Sequence, residues 1–201
     1  MDYSILTEMY EKLEAVSAKL KKTELLAELF SKTPATELPK VVLLVQGIVF
    51  PKFTQFELGI ASQMMTKAIA KATGFKSEFV EEKFKKTGDL GLTAEECVKL
   101  KKQATLLKKK LTMDSVFENL KKLPFITGAG SQEKKLNLIA ELITSAKPKE
   151  ARYVVRTILG ELRVGVAEGL IRDAIVQAFL LTGKESKSEK EKIIAAVDYA
   201  W

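Results

Sequence analysis

The 201-residue sequence contains no histidine and one cysteine, Cys97. Without histidine there is no Ser-His-Asp or Cys-His nucleophilic system, no imidazole base and little chance of a zinc site. Only a carboxylate magnesium site stays open. A single thiol excludes an intrachain disulfide. Long apolar runs are also missing. The most apolar stretch, VVLLVQGIVF (41–50), is too short to span a bilayer and reads as a buried helix. The first residues, MDYSILTEMYEKLE, are acidic and amphipathic, unlike a signal or transit peptide. No membrane partner is expected, and a cytoplasmic location is the default. There is no P-loop, no GxGxxG after a strand, no HExxH and no acidic calcium loop. Acidic pairs such as Glu81-Glu82 and Glu95-Glu96 fall in lysine-rich helices and read as solvated mixed-charge faces. A free-standing hydrolase therefore has little support.

What is present is basic and helical. Lysine and arginine number 33 against 26 acidic residues, a net charge of +7. That balance suits a polyanion partner without proving one. Apolar residues make up 46% of the chain, which argues against disorder. Ile5, Met9, Leu13, Val16 and Leu20 form one helical stripe, and Leu136, Ile139, Leu142 and Ile143 another. Thr36 is expected to cap the helix carrying residues 41–50. Phe56, Ile60, Met64, Ala68 and Ile69 are expected on a helix closed by Gly74. Thr93 with Glu96, and Ser188 with Glu191, read as capping boxes. Pro148 fits a first helical turn. No fixed repeat of the solenoid kind is visible. The expected fold is all-α, with nine to twelve helices in one domain over residues 1–201 and a seam near residues 99–112. The abrupt apolar end, IIAAVDYAW, is expected to mark a cut through a longer polypeptide.

The glycine-bearing helix ends carry the functional signal. Gly128, Ala129, Gly130, Ser131 and Gln132 precede a helix with Lys134 and Lys135 in its first turn. Helix N-termini expose unpaired N–H groups and a positive dipole end, so lysines there fit an anion better than they fit the dipole. An ordinary capped turn with solvated lysines is the equal alternative. In RTILGELRVGVAEGLIRDAI (156–175), Gly160 interrupts a helical pattern, while Arg163, Val164 and Gly165 form a second glycine-led entrance. Arginine bonds two phosphate oxygens at once. Pairing of Arg163 with Glu161 or Glu168 is the alternative. No basic strand interleaved with aromatics points to single-strand stacking, and no base-reading helix is evident.

TGDLG (87–91), TGAGSQEKK (127–135) and residues 156–175, in this order and spacing, resemble the N-terminal DNA-binding domain of archaeal-type ATP-dependent DNA ligases. The resemblance implies an all-helical domain of two pseudo-symmetric halves that grips nicked duplex DNA by backbone and minor-groove contacts. It implies one phosphate-binding loop at Gly128, Gly130, Ser131, Gln132 and Lys134, with the first-turn Lys135 beside it on the DNA side, and another at Arg163, Val164 and Gly165. SAKLKK (17–22) resembles the family's basic stretch, which places Lys19, Lys21 and Lys22 on the DNA side. Gly88 and Gly91 match structural turns. The adenylation motif Lys-x-Asp-Gly is absent, so this chain is not expected to be an enzyme by itself. ATP and magnesium would belong to the full-length ligase, whose catalytic domains are implied as partners in cis. A sliding-clamp contact at Gln103, Leu106 and Leu107 is implied in weakened form, because the family's aromatic anchors are replaced. A monomer is the simplest state. The alternative reading is an all-α protein-interaction module without DNA affinity.

Overall fold

A computed structural model describes residues 1–101 and 110–200. Gln103, Leu106, Leu107 and most of the expected seam lie outside the described residues. Among those described there are eleven α-helices and no strand. They are α1 (Tyr3–Glu14), α2 (Lys19–Ser31), α3 (Leu38–Leu44), α4 (Ser62–Thr73), α5 (Ser77–Thr87), α6 (Leu90–Leu100), α7 (Met113–Lys122), α8 (Ser131–Ser145), α9 (Pro148–Leu159), α10 (Glu168–Phe179) and α11 (Lys187–Ala200). Short 3₁₀ turns cover Lys52–Thr54 and Leu123–Phe125.

Helix α9 lies at the centre because its sequence is apolar on more than one side. Tyr153, Val154, Val155 and Ile158 are all buried. It packs on α6, α1 and α8. The Tyr10 and Tyr153 rings meet at 4.8 Å, and the Tyr10 hydroxyl donates to the Leu44 carbonyl at 2.6 Å. The contact with α6 depends on Gly91. A Cβ there would stand 2.7 Å from Arg156 Cγ and 2.8 Å from the Arg152 carbonyl oxygen, closer than packed atoms approach. Gly91 thus lies in the first turn of α6 and lets it close onto α9.

A long repeat runs through the chain that the sequence reading did not find. KKTELLAELF (21–30) corresponds to KKLNLIAELI (134–143), and VVLLVQG (41–47) to VVRTILG (154–160). So α2, α3 and α4 correspond to α8, α9 and α10. The packing obeys the same relation: α2 lies on α10, and α8 lies on α4. Each half supplies its first helix to the last helix of the other. The two halves are therefore interlocked rather than adjacent, as a pseudo-twofold requires.

Several local expectations are corrected. Helix α3 ends at Leu44, its N-cap is Glu37 rather than Thr36, and it makes no side-chain cap. Phe56 and Ile60 precede α4. Asp89, not Thr93, caps α6, because its carboxylate accepts from the Leu92 amide at 2.8 Å. Thr93 is buried inside the helix, and its hydroxyl donates back to the Asp89 carbonyl at 2.9 Å. The capping box before α11 is Ser186 with Glu189, two residues earlier than expected. Gly160 does not interrupt α9; it ends it, in the left-handed conformation.

Candidate nucleic-acid interface

The connection from α9 to α10 is an irregular turn over residues 161–167. Val164 is its buried anchor, while Arg163 and Gly165 are exposed. Gly165 has φ of 66°, a conformation that costs other residues steric strain. The turn is held from below by Lys22. That side chain is buried, and its ammonium donates to the Val164 carbonyl at 2.6 Å and to the Gly165 carbonyl at 3.4 Å. Carbonyls engaged on the inner side leave the outer side of the turn to Arg163. Lys22 thus supports the turn from within instead of presenting its charge at the surface.

The two arginines near this turn differ. Arg156 is committed: it donates to Asp89 at 2.8 and 3.0 Å and to Glu14 at 2.7 Å. Burial would raise the Asp89 carboxyl, but the Arg156 fork and the Leu92 amide outweigh it and hold it below the usual range. Arg163 shares a hollow of about 280 Å³ with Glu14, Gly88, Asp89, Arg156 and Glu161, one alternative partner, yet is in no ion pair among the described residues. Glu168, the other alternative partner, is occupied by Lys52 at 2.7 Å. Lys19 is exposed and lines an adjoining hollow of about 350 Å³ together with Lys22 and Gly165. Lys21 is exposed and bonds Glu24 at 2.9 Å, a surface pair of small stability worth.

The second turn leads into α8. Gly130 is its N-cap in the left-handed conformation and offers no side chain to the first-turn amides. The Ser131 amide bonds back to the Gly128 carbonyl at 3.2 Å, and the Lys134 amide to the Gly130 carbonyl at 3.1 Å. The amides of Gln132 and Glu133 fall in the first turn, where no helical acceptor exists. Gly128, Gly130, Gln132 and Lys134 are exposed; Ser131 and Lys135 are half-buried. Glu133 also sits in that turn and lowers its positive charge.

The structure brings Lys19, Lys22 and Gly165 together and puts Arg163 beside them. It does not bring the α8 turn into contact with that group. The segment between Gly47 and Gly59 spans the gap. Lys52 reaches Glu168 at the start of α10, and Phe56 packs on Phe125, just before the α8 turn, with ring centroids 5.2 Å apart. Lys52, Lys121 and Phe125 are features of this face that sequence reasoning missed. The signals were two short basic-aromatic runs, FPKF (50–53) and LKKLPF (120–125).

These features define a class: an all-helical, basic domain of two interlocked halves with two uncapped, glycine-led turns flanked by cations. The model of the family described as "DNA ligase N terminus" matches residues 2–176, and the chain belongs to that family. It is 43% identical over 177 residues to a DNA ligase of Methanothermobacter thermautotrophicus, covering 88% of this chain and 32% of that protein. A DNA ligase of Nanoarchaeum equitans is 44% identical over 182 residues, covering 90% and 32%. One of Methanopyrus kandleri is 43% identical over 185 residues, covering 92% and 33%. The chain therefore spans about a third of the length of these relatives.

Proposed function

We propose that this domain binds nicked duplex DNA without regard to base sequence and positions it for joining by other domains of an ATP-dependent DNA ligase. The observation that carries the reading is the pair of exposed glycine-led turns with unpaired cations beside them. Lys19, Lys134, Lys135 and Arg163 have no ion-pair partner among the described residues. Amides and cations of this kind bond phosphate oxygens and sugars, which are alike at every base pair. A joining enzyme needs that indifference. The interlocked pseudo-twofold matches the local dyad between the two strands of a duplex, so each half can face one strand across the minor groove.

The contribution to ligation is positional. Holding both sides of a nick converts a loose encounter into a fixed geometry for the 3′-hydroxyl and 5′-phosphate. In this reading ATP and magnesium belong to the catalytic domains of the full-length ligase. No group of three or more Asp, Glu or Cys among the described residues gathers to hold a metal ion. The partners of this reading are duplex DNA and the catalytic domains in cis, and the domain acts as a monomer inside the cell. No helix among the described residues is long and apolar enough to cross a membrane.

Gel shifts on several unrelated nicked duplexes test the reading. Arg163→Ala is expected to weaken all of them alike, by about 1–3 kcal/mol. Unchanged affinity removes Arg163 from the interface. Absence of any duplex binding by the unmodified chain, with capture of a protein partner instead, favours a protein-interaction module.

A further inference from the structure

The two halves differ at one place that packing alone does not require. In the second half Gly160 is followed at once by Glu161-Leu162. In the first, the corresponding Gly47 and Glu57-Leu58 are separated by IVFPKFTQF (48–56). This extra loop puts Phe53 at its tip, 86% exposed, while Phe56 and Phe125 are about half exposed. It is not slack. The Thr54 hydroxyl donates to the Pro51 carbonyl at 2.7 Å, and the Gln55 amide to the Lys52 carbonyl at 3.3 Å. Gln55 has φ of 56°, the only positive value at a non-glycine among the described residues. Such strain persists where the surroundings hold it and concentrates at binding sites. The base is packed as well: Phe50 meets Phe56 at 5.0 Å and Phe125 at 6.0 Å, with the Lys121 ammonium 5.9 Å from the Phe50 ring centre.

From this geometry we propose that the 48–56 loop is an apolar wedge that enters the minor groove of the bound duplex, with Phe53 as its edge. The proposal rests on the duplex-binding reading above. Three observations select DNA as the occupant. The loop lies between the two glycine-led turns, joined to one side by Lys52–Glu168 and to the other by Phe56–Phe125. Lys52 and Lys121 give the apolar tip a cationic border that suits the phosphate rails on either side of a groove. The tip is narrow and internally hydrogen-bonded, whereas a protein-docking surface is broad. Apolar side chains inserted from the minor groove part neighbouring base pairs, and the step that yields most easily is one whose strand is already broken. The wedge therefore adds more to binding of nicked duplex than of intact duplex.

The test uses the 201-residue chain, labelled nicked and intact duplexes of one sequence, and fluorescence anisotropy at several salt concentrations. Phe53 is exposed, so Phe53→Ala is expected to melt with the wild type. It should bind nicked duplex about tenfold more weakly, lose less on intact duplex, and keep the salt dependence, since no phosphate contact is removed. In Phe53→Trp, emission should shift on adding nicked duplex, beyond any change from Trp201 in the wild type. Wild-type binding that Phe53→Ala matches, or Phe53→Trp emission unaltered at saturation, overturns the wedge and leaves the patch to a protein partner. A wild type with no duplex affinity overturns the underlying reading and the wedge with it.

Discussion

Replacing Lys22 by methionine separates two roles a lysine can play at a DNA-facing turn. The side chain is buried, and its ammonium bonds the Val164 carbonyl at 2.6 Å and the Gly165 carbonyl at 3.4 Å. Methionine keeps most of the volume but removes the charge and the donor. A hydrogen bond from a charged group contributes about 1.5–3 kcal/mol, and the Val164 carbonyl left behind is buried without a donor. Lys22→Met should thus lose about 1.5–3 kcal/mol in urea unfolding, or about 2–4 °C of melting temperature per kcal/mol for a domain of this size. Duplex affinity should fall, because the Arg163–Gly165 turn is no longer held. The slope of log affinity against log salt should stay the same, since a carbonyl-bound ammonium releases no counterion. A slope smaller by about 0.9 would mean that Lys22 contacts a phosphate directly, and the supporting role assigned to it would be refuted.

Gly91→Ala should destabilise the domain by about 1–3 kcal/mol in thermal melts, because the new methyl meets Arg156 Cγ and the Arg152 carbonyl at under 3 Å. A mutant melting with the wild type would mean that α6 and α9 yield easily there. Asp89 gives a pH effect of definite sign. Its carboxyl titrates below the usual range when folded and near about 3.9 when unfolded, so its stabilisation is complete above that value and is lost as pH falls through the folded one. Urea unfolding between about pH 4 and 2 should show wild-type stability falling faster than that of Asp89→Asn. Parallel curves would remove the Arg156–Asp89 pair as the cause.

Much of the fold was readable because helix ends are local chemistry. Gly74 and Gly88 close α4 and α5 in the left-handed conformation, and Pro148 and Ser131 open α9 and α8, as their types suggest. Errors arose where two local solutions compete. KESKSEKE offers two Ser-x-x-Glu registers, and the chain uses Ser186 with Glu189. Asp89 and Thr93 are both good caps; the aspartate takes the amide, so the threonine falls inside the helix. The repeat between halves was hidden because the matching stretches are short and the 48–56 loop shifts the register partway along. The role of Lys22 was illegible for a different reason: its partner lies 142 residues away, and only folding brings them together. At the candidate interface, Gly128, Gly130, Gly165 and Arg163 are exposed. The bridging loop and its phenylalanines carry no local signature of position.

The most direct test of the central claim is the salt dependence of duplex binding by the intact 201-residue chain. If Lys19, Lys134, Lys135 and Arg163 each meet a phosphate, the slope of log affinity against log salt should be about −3.6, steeper with each further contact. Removing all four charges together should flatten it by about that amount. A wild-type slope near zero, or no duplex binding at low salt, would contradict the account.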